Sequence, residues 1–209
     1  PPGPKARKII EQDRKAITPS YTRAYPLVID HGQGVHAWDV DGNKYIDFTC
    51  GVAVNALGHS HPEIVKAVTE QAKKFLHMAG TDFYYGVMAD FAEKICAIAP
   101  GRDKKLCFLA NSGTEAIEAA IKLARYATRR PKLIAFFNSF HGRSLGALSL
   151  TASKAVHRRH FGPLLDVAHA PYGDLDYIEK YLFAKIAPPD DVAAIFVEPI
   201  QGEGGYNVP

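Results

Sequence analysis

Leu109-Ala110-Asn111-Ser112-Gly113-Thr114-Glu115-Ala116 joins an apolar run to a helical one, and the reading of this junction decides the fold. Residues 106–110 before it are apolar on both faces, as a strand covered by helices on each side must be. After it, Ala116, Ile117, Ala119, Ala120, Ile121, Leu123 and Ala124 make a helix to Ala127 that is apolar almost all round, so burial is expected. The alternation continues with short apolar runs at 133–137, 167–170 and 192–197, the last preceded by the turn Pro188-Pro189-Asp190-Asp191. The pattern predicts a three-layer α/β/α sheet domain over residues 85–209.

A strand end that opens on a helix N-terminus is the crevice where open α/β sheets bind ligands. Unpaired backbone N–H groups and the positive end of the helix dipole favour an anion there, with hydroxyls from Ser112 and Thr114 and close approach at Gly113. The same residue types also make an ordinary helix cap. Neither G-x-x-x-x-G-K-[ST] nor G-x-G-x-x-G occurs, which argues against a nucleotide phosphate cradle.

Residues 1–84 form a smaller N-terminal segment. Val35-His36-Ala37-Trp38-Asp39-Val40 meets Lys44-Tyr45-Ile46-Asp47-Phe48 across Asp41-Gly42-Asn43, a hairpin in which Gly42 and Asn43 tolerate positive φ. Pro62 then opens a helix carrying Ile64, Val65, Val68, Ala72 and Phe75 at helical spacing and closed by Lys73 and Lys74. A second helix is expected at 87–98, ending before Pro100-Gly101.

With 47% hydrophobic residues the 209-residue chain can build a core, and 25 basic against 22 acidic residues, spread evenly, imply no polyanion partner. His157-Arg158-Arg159-His160 is short and lacks interleaved aromatics, so it reads as a solvated face rather than a nucleic-acid platform. Cys50, Cys96 and Cys107 are odd in number and widely spaced, which predicts reduced thiols and a cytoplasmic protein. Residues 1–14 have no apolar signal core, and no stretch reaches the roughly 18 apolar residues of a membrane span.

Two further stretches follow strands. In Asn138-Ser139-Phe140-His141-Gly142-Arg143, Phe140 and His141 could stack on a planar heteroaromatic group, or be a packed aromatic beside a satisfied histidine. In Glu198-Pro199-Ile200-Gln201-Gly202-Glu203-Gly204-Gly205, an acid ends a strand and glycines surround a second acid, which suits a loop around a polar ligand rather than a packed core.

These stretches, with Thr18-Pro19-Ser20-Tyr21, Trp38-Asp39-Val40-Asp41-Gly42, Tyr45-Ile46-Asp47-Phe48, Gly51-Val52-Ala53-Val54 and Gly58-His59-Ser60-His61-Pro62, resemble in order the class III aminotransferases of ornithine and 4-aminobutyrate type, within the fold-type I pyridoxal-phosphate family. The resemblance covers nearly the whole chain. It implies pyridoxal 5′-phosphate as cofactor, an amino-acid or ω-amine donor, a 2-oxo acid acceptor and a homodimer. By the same resemblance Ser112, Gly113 and Thr114 hold the cofactor phosphate, Phe140 stacks on the ring with His141 beside it, and Glu198 lies near the cofactor. Val52 lines the substrate pocket, Glu203 gates a substrate-binding arginine, and His59 and His61 belong to the turn before Pro62 rather than to a metal.

The family's Schiff-base lysine, its ring-nitrogen aspartate and its substrate arginine have no matching positions up to Pro209, and Lys122 and Lys132 are not given that role. The present chain is accordingly expected to be inactive alone, with an uncovered sheet that makes it aggregation-prone or dependent on dimerisation. An amino-acid racemase or aminomutase would carry the same motifs. A non-catalytic phosphate-binding relic is the reading from another class, and borohydride reduction separates it from an enzyme by the presence or absence of a phosphopyridoxyl-lysine.

Overall fold

The computed structural model describes residues 2–209, which fall into two compact units, one running to Tyr85 and the other from Gly86 to Pro209.

In the first unit, α1 (Pro4–Ala16) precedes the antiparallel strands β1 (Ile29–Gln33), β2 (His36–Asp39) and β3 (Lys44–Ile46). The expected hairpin is β2–β3, with Trp38 opposite Lys44 and His36 opposite Ile46. Only Gly42 in its turn has positive φ, at 90°; Asn43 does not need it, because the Asp39 carboxylate accepts from the backbone of Asp41 and Asn43 and from the Asn43 amide. The turn is thus tied from below by a side chain instead of being shaped at both positions by backbone type.

Neither β1 nor α1 stood out in the sequence. β1 is short and polar, and it holds through its ladder to β2. α1 begins at Gly3 with Pro4 in its first turn, and its free amides at Lys5 and Ala6 are capped by the distant Asp41 carboxylate, each at 3.0 Å. Then α2 (Pro62–Lys74) follows as expected from its proline start and basic end. The unit buries little apolar volume of its own, Ala6 and Ala37 being its buried apolar side chains among the described residues.

The second unit opens with α3 (Gly86–Ile98) and continues with α4 (Gly113–Thr128), β4 (Lys132–Phe136), α5 (Leu145–Leu150), β5 (Val167–Ala170) and β6 (Val192–Ile195). Between β5 and β6, Leu175–Tyr177, a π turn at Ile178–Leu182 and Phe183–Lys185 run on as α6. The sheet is parallel in the order β5-β4-β6. Alternation along β4 makes the two layers of core. Leu133 and Ala135 pack with Ile121 of α4 and Leu150 of α5, while Ile134 and Phe136 pack with Ala170, Ile178 and Leu182 on the other face. Each such leucine or isoleucine contributes about 1.5–3 kcal/mol by leaving water.

Two expectations need correction, one of a strand and one of a helix. Residues 106–110 make no ladder: no strand among the described residues lies alongside them, and Leu106 and Phe108 stay 88% and 71% exposed. An extended run is a strand only where a neighbour takes up its amides and carbonyls. The helix after it is likewise not enclosed. Ile121 is buried, but Leu123 and Tyr126 face outward, because one face of α4 meets the sheet and nothing in this unit covers the other.

Candidate functional site

Ser112 is the extended N-cap of α4, and its Oγ accepts from Glu115 N at 3.3 Å, while the Glu115 carboxylate reaches back to Asn111 N at 2.7 Å. This relative of the capping box takes up one first-turn amide, that of Glu115, and the amide of Asn111 just before the cap. Gly113 N–H and Thr114 N–H have no acceptor among the described residues, and the first intrahelical bond runs from Ala116 N to Ser112 O. Two bare amides at the head of a sixteen-residue helix suit an anion.

The opposite wall is the loop after β4. Ser139 is buried and donates to Leu150 O, Phe140 N donates to Glu198 Oε1 at 2.8 Å, and His141 N donates to Thr151 Oγ1 at 2.9 Å. Gly142 turns the loop at φ 133°, where any side chain would run into Thr114. The result is an open cleft of about 810 Å³ lined by Ser112, Gly113, Thr114, Phe140, His141 and Ser144, among others.

Within it, Phe140 meets His157 edge-on at 5.8 Å. His157 therefore does not belong to a solvated basic face: it is half-buried, with Nδ1 3.3 Å from Ser153 Oγ. His141 is half-buried with its Nε2 enclosed and unpartnered, and burial holds its pKa below the ordinary histidine value, against the opposing pull of Glu198. A neutral imidazole that lacks a partner can accept or donate one hydrogen bond to a group entering the cleft.

Glu198 does not line the cleft. One carboxylate oxygen takes Phe140 N and the other takes Gly202 N at 3.0 Å, so it ties the Phe140 loop to the 198–202 turn, with Tyr172 Oη donating to the carbonyls of Glu198 and Pro199. Gln201 corrects the reading of that turn as a wrap for a ligand. It is buried, donates to Phe137 O and accepts from Asn207, and so acts as a core peg. Glu203 pairs with Lys154 at 2.6 Å, and that contact, then Ser153, lowers its pKa.

Val52 lies in the first unit and is 89% exposed. It sits in a left-handed turn, with Cys50, Gly51, Val52 and Ala53 all at φ between 50° and 63°. A β-branched residue there is a genuine outlier. The turn is held by Asp47, whose carboxylate accepts from Thr49 N, Thr49 Oγ1, Cys50 N and His59 Nε2, while Asn55 Nδ2 meets His59 Nδ1 at 3.0 Å. The Thr49 hydroxyl and His59 bring the Asp47 pKa down to about 2. His59 is thus a structural tie. Of the lysines, Lys132 is paired with Asp166 at 2.6 Å, and Lys122 is exposed on α4.

Sequence reading missed Glu118, Ser144, Thr151 and Lys154. Glu118 had a signal, since it stands four residues after Thr114 and so on the same helix face. Ser144 and Thr151 depend on chain reversal around α5, and Lys154 on the approach of Glu203, 49 residues on; none carries a local signature.

Residues 17–209 match the aminotransferase class-III family. An acetylornithine aminotransferase of Methanopyrus kandleri is 43% identical over 98% of this chain and 49% of its own length. An alanine/serine racemase of Pyrococcus horikoshii is 37% identical over the whole chain and 49% of its own. The solved ornithine aminotransferase of Toxoplasma gondii superposes with a TM-score of 0.84 at 32% identity, over 98% of this chain and 47% of that one. The chain spans about half the length of the curated relatives it matches. No described helix is long and apolar enough to cross a membrane. With this fold, and with a family match over all but its first sixteen residues, the chain belongs to the class-III aminotransferases.

Proposed function

We propose that the protein is a pyridoxal-phosphate-dependent aminotransferase, passing an amino group from an ω-amino or amino acid of the ornithine, acetylornithine or 4-aminobutyrate type to a 2-oxo acid. The observation that carries this reading is the pair of bare amides at Gly113 and Thr114 opening on the same cleft as Phe140 and His141. In it, the Gly113 and Thr114 amides and the Ser112 hydroxyl hold the phosphate, Phe140 offers a ring face and His141 its unpartnered nitrogen. When bound, the cofactor supplies an electron sink for chemistry at the carbon that bears the amine.

Glu198 positions Phe140 through its backbone, and Val52 and Glu203 bear on substrate. Glu203, held by Lys154, is an acid that a cationic substrate-binding group could draw away. Helix-side exposure of Leu123 and the unpaired run 106–110 support a homodimer of a longer chain, and unpaired Cys50, Cys96 and Cys107 support a cytoplasmic setting. The present chain alone is then inactive.

The 37% identity to a racemase favours a second reading, amino-acid inversion on the same site. Product analysis with the full-length protein decides. Consumption of a 2-oxo acid in step with loss of the donor amine is expected. Inversion of an amino acid without acceptor would replace the transaminase reading by the racemase one.

A further inference from the structure

We propose that Glu118 is a positioning residue for the anion site, acting through Ser144 on Thr114. The proposal deepens the reading of Ser112-Gly113-Thr114 as the phosphate site and rests on it.

Proton bookkeeping carries the inference. Ser144 has one hydroxyl proton and donates it to Glu118 Oε1 at 2.5 Å. In its 2.6 Å contact with Thr114 Oγ1, Ser144 can then only accept, which makes the Thr114 hydroxyl the donor. The Ser144 amide donates in turn to Thr114 Oγ1 at 3.3 Å. The Thr114 hydroxyl proton is therefore committed to the far wall and is withheld from any anion in the cleft. Ser112 differs: its oxygen accepts from Glu115 N and its proton is uncommitted among the described residues. Phosphate is thus served by the Ser112 hydroxyl and the two bare amides, and Thr114 acts through its backbone.

The same Glu118 oxygen accepts from Ala147 N at 3.1 Å, in the first turn of α5. A Cβ on Gly146 of α5 would collide with this carboxylate, and one on Gly142 of the loop would collide with Thr114, so both glycines are needed to let the walls close on the chain Glu118–Ser144–Thr114. One carboxylate clips the first turn of α4 to the loop that bears Phe140 and His141. Removing it lets the amides drift from the ring wall.

A positioning role and a plain charge effect have opposite signs. A carboxylate one turn below a phosphate repels it, so its loss by itself would tighten phosphate binding.

The test uses the full-length protein freed of cofactor, titrated with pyridoxamine 5′-phosphate and, separately, with pyridoxamine. For Glu118→Ala, the phosphorylated ligand is expected to bind about tenfold more weakly, as for loss of one ordered hydrogen-bond chain, with pyridoxamine unchanged within about twofold. Glu118→Gln keeps an acceptor for Ser144 and Ala147 and should restore most of the loss. Ser144→Ala breaks the same chain by another atom and should repeat the phosphate-selective loss, which keeps the test available if Glu118→Ala does not fold. Equal weakening of both ligands, unchanged affinity, or tighter phosphate binding would overturn the proposal. If the unaltered protein shows no preference for the phosphorylated ligand, the phosphate-site reading itself is wrong and the proposal falls with it; a wild-type preference that both variants leave intact removes the proposal alone.

Discussion

The Asp47 turn of the first unit, after β3, and the Ser112–Phe140 cleft of the second, one wall of which follows β4, are both rich in small polar residues, yet they finish their hydrogen bonds differently. Around Asp47 every partner is internal: one carboxylate takes two amides, a hydroxyl and an imidazole, and that imidazole is met on its other side by Asn55. Around Ser112 the walls are just as firmly tied, but two amides, a hydroxyl proton and an enclosed imidazole nitrogen are left over. Buried or converging polar groups without partners are costly, and they persist where a ligand completes them. The closed network can hold strain instead, and it does so at Val52.

The largest effect is expected at Gly142. Its φ of 133° and its contact with Thr114 leave no room for a side chain, so Gly142→Val should displace the Phe140 wall and weaken binding of pyridoxamine 5′-phosphate by about 100-fold or more. Equilibrium titration of the full-length variant measures this. An affinity within threefold of the unaltered protein would mean that the two walls are not coupled, and the contrast with the Asp47 turn would lose its basis.

A smaller effect, of opposite sign, is expected in the first unit. Val52→Gly removes a β-branched residue from the left-handed region, a gain of about 1–2 kcal/mol offset in part by the entropy of glycine, so a higher Tm should result. If Val52 also bears on substrate, KM rises while cofactor affinity stays constant. A lower Tm would show that the turn is not strained.

Acid sharpens the comparison with the mildest change. His141 and His169 are held below the ordinary value of 6.5 by burial, so the unfolded chain protonates first and their contribution to stability, complete above about 6.5, declines as pH falls below it. Glu198 opposes the shift at His141, and Arg158 adds to it at His169. Asp47, lowered from 3.8 to about 2, contributes fully above 3.8 and loses this only as pH falls from there towards 2. Hydrogen exchange, corrected for its intrinsic pH dependence, should therefore quicken between pH 6.5 and 5 in peptides from β4 and α5 before it does so in the peptide spanning Asp47 and His59. Simultaneous loosening would remove the distinction.

Much of this was legible in the chain. The hairpin across Gly42, the helices starting at Pro62 and Gly113, and β5 carry signals that act within a few residues: turn chemistry, a proline start, a cap, an apolar run. The amides of Gly113 and Thr114 follow a legible helix cap at Ser112, and Phe140 and His141 stand after the end of β4, where sequence order alone places a loop. Illegible were those features whose partner is far away: α1 is capped by Asp41, Gln201 pegs Phe137 O, and His157 turns inward to Phe140. Residues 106–110 fail as a strand for the same reason, because a ladder belongs to two segments and no described strand lies alongside them.

Sequence by itself determined the order of strands and helices and the residue types at each junction, since periodicity and capping act over one or two turns of chain. Only the tertiary structure decided which hydroxyl protons remain for a ligand: Ser112 keeps its own and Thr114 gives its own to Ser144, because Glu118 and Ser144 meet across 26 residues of chain and each hydroxyl has a single proton to direct.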